Sequence, residues 1–460
     1  MVKSALAGQR GSRLSQLQEL LRTEGLASTL ARGTLWAFAI NAFGTALSFA
    51  AQVLLARTSG QLQYGTYAYT LGWMNIVLLL AKFEFDGSAV RFLGAYHGQK
   101  AWSLLRGFLR RSAQWVTMLS LAVAAIAVVL LWIFRSSLPS TLAASFLIAT
   151  ALLPLTALLQ LTSSSLQGLR RVVAAQAPTM VVRPLFFAGS ILVVTQLLGR
   201  PMDAATAVGI NCVTTAIVLV ISVKLLRDAI PADVRSVRAE YDTREWWRVA
   251  AGLLVISTSQ LILSQQADVV VVGTLVGKTA AGHYGAASQL ATLVHFGVTA
   301  VLFMATPMIA DYHARGQRAD VQQLATLVGR VNLILATPVL AALAVGGTFA
   351  LRLFGPSFVD AYPVLLVLGS SQMVLAIVGS LAGYLLSMTG HQKQAAVIIG
   401  GSAVLNLVLT LILTPRFGMI GTASATLTSV ITRSIALTIY IRRILAVDPL
   451  PFRFLTSRAR

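Results

Sequence analysis

Apolar residues run along this chain in blocks of about 20, and polar residues gather in the short intervals between them. A bilayer core of about 30 Å takes roughly 20 apolar residues of helix, and that ruler predicts twelve spans. They fall at about 33–56, 67–85, 112–134, 140–161, 174–198, 203–226, 249–276, 283–310, 327–350, 362–389, 395–413 and 419–441. Backbone polar groups in lipid must be paired within the segment or in a closed barrel. The ten-residue alternation of barrel strands is missing, so the prediction is an all-α integral membrane protein.

The polar intervals sort by charge. Counting from a cytoplasmic N-terminus, the inside intervals hold 28 of the 36 Lys and Arg residues. The outside intervals hold one each: Arg57, Arg135, Arg200, Lys278, Arg352 and Arg416. Basic residues are retained on the cytoplasmic side, so both termini are expected on that side. Residues 1–32 lack the continuous apolar core of a cleaved leader. There Leu14, Leu17, Leu20 and Leu21 lie near one helical face beside Arg13 and Arg22, the pattern of a short interfacial helix or of a frayed polar tail. The expected layout is an N-terminal segment 1–32, a six-helix bundle 33–226, a cytoplasmic linker 227–248, a second six-helix bundle 249–441 and a basic tail 442–460.

The two halves share a spacing. Gly60, Gly65 and Tyr67 follow the first span, and Gly277, Gly282 and Tyr284 follow the seventh; both sets read G-x4-G-x-Y, 217 residues apart. Met202 and Met419 stand at the same offset. Six spans per half give the halves one orientation, a parallel repeat about an axis along the membrane normal. A substrate cavity between the two bundles is the expectation.

Composition narrows the class. Hydrophobic residues make up 56% of the chain and charged residues 11%, with a mean hydropathy of +0.77, against about 25% charged in soluble domains. A soluble enzyme, a nucleic-acid-binding domain and a disulfide scaffold are excluded. The net charge of +21 is spread over the inside loops, which makes anionic lipid its partner and not nucleic acid. Cys212 is the sole cysteine and forms no intrachain disulfide.

The stretches LLAR, QYGTYAY and FDGSAVRFLGAY resemble the start of bacterial polysaccharide repeat-unit flippases, and ADVVVVGTLVGKTAAGHYGAASQL resembles the start of their second half. Those proteins belong to a superfamily that also holds multidrug and toxin extruders and peptidoglycan lipid flippases. The resemblance implies two six-helix bundles in a V, moving an undecaprenyl-pyrophosphate-linked oligosaccharide across the inner membrane, with a polysaccharide polymerase and other assembly proteins as further partners. No cofactor is implied.

Gly277-Lys278-Thr279 matches the end of a phosphate-binding loop, but Val272 stands where the pattern needs glycine, and the segment reads as a turn. The five histidines show no metal-ligand spacing; His295, inside the eighth span, reads as a packing residue. Glu84 and Asp86, at the end of the second span, read as headgroup-level charges, with Glu84 also a candidate for ion coupling. Arg183 in the fifth span and Arg433 in the twelfth stand out, because arginine at a helix centre costs about 2.5–3.5 kcal/mol and is normally turned to a bundle interior or a wet cavity. Guanidinium suits pyrophosphate through paired N–H donors. Asp268 in the seventh span is the counterpart acid, either a salt-bridge partner of an arginine or an ion-coupling carboxyl. Asn41, Gln52, Gln260 and Gln265, with Asn75, Gln289 and Asn332, are expected to line a hydrated cavity or to join helices. Gly379 and Gly383 form a GxxxG packing signal.

The expected function is a lipid-linked oligosaccharide flippase working by alternating access, without covalent chemistry. Two rivals are a multidrug extruder of the same superfamily, whose cavities favour acids, and a membrane polymerase or glycosyltransferase. The second would carry a long extracytoplasmic loop, and the outside intervals here are short.

Overall fold

The computed structural model describes residues 2–450, with side chains described outside 2–38 and outside 300, 303, 304, 307 and 314. The leucine face predicted in 1–32 therefore lies outside the described side chains, and Arg453, Arg458 and Arg460 of the basic tail lie outside the described residues. Thirteen helical elements carry the fold: α1 (Val2–Lys82), α2 (Phe85–Gly98), α3 (Trp102–Ile133), α4 (Ser140–Gly168), α5 (Val172–Leu197), α6 (Ala204–Ala229), α7 (Ala232–Ser236), α8 (Thr243–Ile262), α9 (Gln265–Leu275), α10 (Lys278–Ala314), α11 (Arg318–Arg352), α12 (Pro356–Met388) and α13 (Gln392–Ile444). No strand occurs among the described residues.

Eight of these helices are individually long and apolar enough to cross a membrane, nine when α8 and α9 are taken as one broken span. Helix α10, 37 residues long, is a tenth. Two elements hold two spans each. In α1 the backbone reverses at Gly60 (φ 75°): Phe49 and Tyr64 both pack on Phe354, at 5.5 and 6.2 Å between ring centroids. Fifteen residues of straight helix would separate them by about 22 Å. In α13 the reversal is at Gly418 (φ 59°), where the Thr414 and Thr422 hydroxyls come within 2.7 Å. The result is twelve spans in two six-helix bundles.

The internal repeat is visible where its two copies meet. A Cβ on Gly65 would lie 1.9 Å from the Lys278 carbonyl oxygen, and one on Gly282 would lie 2.9 Å from the Gly65 Cα and 3.0 Å from the Gln61 carbonyl oxygen. Gln61 and Lys278 are themselves 217 residues apart. Each copy of the motif thus packs on its own repeat mate, as a twofold axis between the bundles requires. Only glycine permits backbones this close.

Two expectations change. The seventh span is not one helix over 249–276: it is broken between Ile262 and Gln265 by a bend of 54°. Its first half, α8, begins at Thr243, with the Asp242 carboxylate accepting from the Glu245 N–H at 3.4 Å as a cap. Of the GxxxG pair, Gly379 packs on Ser434, but nothing lies within 4 Å of a Cβ on Gly383. Gly379 closes a π-helical turn, Leu375–Gly379, which rotates the two glycines off one close-packed face.

Candidate functional site

Between the bundles, the α1 hairpin packs on α9 and α10, and the polar contacts of this interface gather at one end. The Tyr69 hydroxyl is 3.1 Å from the Thr274 hydroxyl, and Gln61 Oε1 is 3.1 Å from His283 Nε2. Arg57 Nε donates to the Leu353 carbonyl at 2.6 Å. Tyr64 sits against Phe354 and Phe358. Lys278 Nζ donates to the Gly273 carbonyl at 2.7 Å and stands 3.3 Å above the Tyr69 ring, so Gly277-Lys278-Thr279 is a turn at a closed seam.

At the opposite end the bundles are joined through α8. Trp246 is fully buried there, edge-on to Phe108 at 5.2 Å, and its indole N–H donates to the Tyr96 hydroxyl at 2.9 Å. Trp247 packs on Phe83 and Phe85 at 4.9 and 5.0 Å. These rings fasten the start of α8 to the N-terminal bundle. Further along, Asn406 of α13 donates to the Ile262 carbonyl at 3.4 Å, so the end of α8 is held by the C-terminal bundle. Val255 and Ile256, between these attachments, are exposed.

Each bundle encloses a polar cluster organised by the tyrosine of its repeat motif. In the N-terminal bundle Arg183 Nη2 donates to Asn211 Oδ1 at 2.8 Å, and Asn211 Nδ2 donates to the Tyr67 hydroxyl at 3.0 Å. Gln52 lies within hydrogen-bonding reach of the same hydroxyl. Arg183 follows a π-helical turn, Pro178–Val182, and precedes Pro184; that irregular stretch places a long side chain between α1 and α6. About two turns from Arg183, Asn41 Nδ2 donates to Gln176 Oε1 at 3.0 Å, tying the first span to the fifth.

In the C-terminal bundle Tyr284 donates to Asp268 Oδ2 at 2.8 Å, and the Thr426 hydroxyl lies 2.9 Å from the same oxygen. Asp268 is 2% exposed and makes no ion pair among the described residues, so it is not the salt-bridge partner of Arg183 or Arg433. About two turns along α13 from Thr426, Arg433 lies beside the π-helical turn of α12. The same turn receives Asn332 Nδ2 on the Ala376 carbonyl at 3.0 Å, and His295 Nε2 is 2.8 Å from the Ser380 hydroxyl just beyond it. Among the described residues the buried Nε of Arg433 has no hydrogen-bond partner, nor has Gln265 Nε2.

The structure therefore brings Arg183 and Gln52 together around Tyr67 and places Gln265 one turn from Asp268. Arg433 stands in a separate cluster, and Gln260 is exposed on α8. Glu84 is held by Lys82 at 3.1 Å, which also binds Asp86 at 2.7 Å. Tyr67, Asn211, Tyr284 and Thr426 are the members that sequence reasoning missed as site residues, although the two tyrosines were in view as repeat markers. No group of three or more metal-ligating side chains occurs among the described residues.

Two bundles of six helices, a twofold seam and polar clusters enclosed within the spans define a transporter-type membrane fold. Solved structures with this fold include an inward-facing multidrug resistance MATE family transporter of the MOP superfamily, with a TM-score of 0.67 at 13% identity over 90% of this chain and 98% of that one. The lipid II flippase MurJ in an inward closed conformation gives 0.66 at 14% identity, over 88% and 87%. The polysaccharide biosynthesis protein family model matches residues 30–313, and the chain belongs to that family. A curated relative, the probable low-salt glycan biosynthesis flippase Agl15 of Haloferax volcanii, is 24% identical over 404 residues, covering 86% of this chain and 80% of the relative.

Proposed function

We propose that this protein is a flippase that moves undecaprenyl-pyrophosphate-linked oligosaccharide repeat units across the inner membrane, by alternating access of a cavity between its bundles. The observation that carries the reading is the pair of intramembrane arginines, Arg183 and Arg433, one per bundle. An arginine is retained at that depth when it meets an anion or a wet cavity, and a pyrophosphate has oxygens for both guanidiniums. Membership of a polysaccharide biosynthesis family and likeness to a glycan flippase support the same substrate class.

The positive-inside asymmetry puts the closed seam, with Arg57 and Lys278, on the outer side and α8 on the cytoplasmic side. With the seam closed, the transport cycle has its cavity reached from the cytoplasm, where lipid-linked units are assembled. Arg183, prepositioned by Asn211, takes one phosphate, and Arg433, with an N–H still free, takes the other. Asn41, Gln52, Gln260 and Gln265 offer amides to the sugar. Asp268, with its proton or cation, biases the two bundle positions, and Glu84 is the second candidate for that role.

Deletion of the gene is expected to stop surface polysaccharide assembly while lipid-linked repeat units accumulate on the cytoplasmic side. Normal glycan with new drug sensitivity would instead favour an extruder. Unpolymerised single units on the outer side would favour a polymerase.

A further inference from the structure

A cavity of about 760 Å³ opens on the N-terminal bundle where α3 begins and α6 ends. Four arginines line it, Arg106 and Arg110 of α3, Arg227 of α6 and Arg235 of α7, over apolar walls that include Leu109 and Ile230. No carboxylate lines it, and none of the four arginines makes an ion pair among the described residues. Their hydrogen bonds go to backbone carbonyls: Arg106 Nη1 to Arg235 and Val237 at 2.9 and 2.5 Å, and Arg235 Nη2 to Arg227 at 2.8 Å. These bonds fix the wall without neutralising it. Arg110 and Arg227 are exposed, and no side-chain hydrogen bond from either occurs among the described residues. Four like charges converging on one concave surface need an anion to offset their repulsion.

The same two helices show where the bilayer lies. Met118 and Leu121 on α3, and Val213, Ile217 and Val220 on α6, are exposed apolar side chains. Arg110 is about 12 Å along α3 from Met118, and Arg227 about 10 Å along α6 from Val220. That is the step from acyl chains to headgroups. A soluble anion needs no apolar wall, whereas a glycerophospholipid presents a phosphate with hydrocarbon directly below it.

We propose that this cavity binds the phosphate of an anionic membrane phospholipid, with Arg110 and Arg227 as its holding residues. Each offers the planar fork that grips two phosphate oxygens. The site is apart from the arginines within the bundles, and the proposal does not depend on the transport reading.

The test uses purified full-length protein, with binding followed by thermal unfolding against added phosphatidylglycerol, phosphatidylcholine or inorganic phosphate. Phosphatidylglycerol is expected to raise the melting temperature, and the other two are not. Arg110→Gln/Arg227→Gln should weaken the phosphatidylglycerol response by about thirtyfold in concentration, with unchanged melting in its absence. Arg110→Lys/Arg227→Lys, which keeps the charge and loses the fork, should recover only part of the response; it also carries the comparison if the glutamine variant melts lower on its own. An equal response to phosphatidylcholine would overturn the proposal, as would an equal response to inorganic phosphate or an undiminished response in the glutamine variant.

Discussion

Arg183 and Arg433 differ in what surrounds them, and that difference sets separate expectations for their removal. Arg183 bonds to Asn211, which bonds on to Tyr67, so Arg183→Ala leaves the buried Asn211 Oδ1 only the longer, 3.4 Å bond from the Thr215 hydroxyl, at a cost of about 1 kcal/mol. The buried Nε of Arg433 has no acceptor among the described residues, so Arg433→Ala removes a donor unsatisfied among them. We expect Arg183→Ala to lower both melting temperature and transport, and Arg433→Ala to lower transport alone. Complementation of a deletion strain, with the melting of each purified variant, measures both; full transport by both variants would remove the headgroup role. Asp268 accepts from Tyr284 and has the Thr426 hydroxyl beside it. Asp268→Asn can keep these contacts while losing the charge, and should give a stable protein that transports without ion dependence or not at all. Vesicle assays with and without an imposed gradient separate that from an unchanged carrier. The charges were legible in the sequence because charge inside an apolar run is conspicuous. Their partners were not, since Asn211 and Thr426 are ordinary span residues brought in from 28 and 158 positions away.

Among the elements, the hairpins at Gly60 and Gly277 do the most with the fewest residues. Both glycines sit at positive φ, 75° and 131°, and the motif spacing announced both turns. What the motif did not announce is that Gly65 and Gly282 touch, because a linear repeat carries no information about which copies face each other. A methyl group on Gly65 would collide with a backbone carbonyl rather than a flexible side chain. Gly65→Ala should therefore disfavour the closed seam by about 1–3 kcal/mol. A cysteine at Ala68, which faces Gly285 across the seam, reports this: in a Cys212→Ser background its reaction with a soluble thiol reagent should accelerate when Gly65→Ala is added. An unchanged rate would mean that the seam yields without opening. Trp246 is the matching anchor at the other end. Trp246→Ala leaves a cavity among Phe108, Trp115 and Tyr96 and should cost about 3–5 kcal/mol, read as a lower melting temperature. The break between α8 and α9 escaped the hydropathy ruler, because Ser264 and Gln265 are too few polar residues to interrupt an apolar window.

For the whole molecule the seam and α8 lie at opposite ends of the spans, and the proposed orientation puts the seam outside. Ser236 follows α6 in the linker, and Ser357 stands beside the closed seam. Single cysteines at these positions in a Cys212→Ser background should be labelled by an impermeant reagent in intact cells only at Ser357. Labelling at Ser236 would reverse the orientation. The number of spans and their grouping were readable at this scale, since both follow from lengths of apolar chain. The choice of state was not: closing one end depends on contacts between residues more than 200 positions apart, such as Gln61 with His283.

The glycine seam has one more consequence. A patch that packs on its own repeat is an isologous surface, and either bundle carries one side of it. An N-terminal bundle made without its mate would still present Gln61 and Gly65, and through them it could pair with a second copy of itself. In the intact chain the connection from α6 to α8 keeps the proper mate at an effective concentration of about millimolar, which outcompetes strangers. The linker is thus a device for pairing fidelity, and severing it should let bundles from different molecules exchange partners.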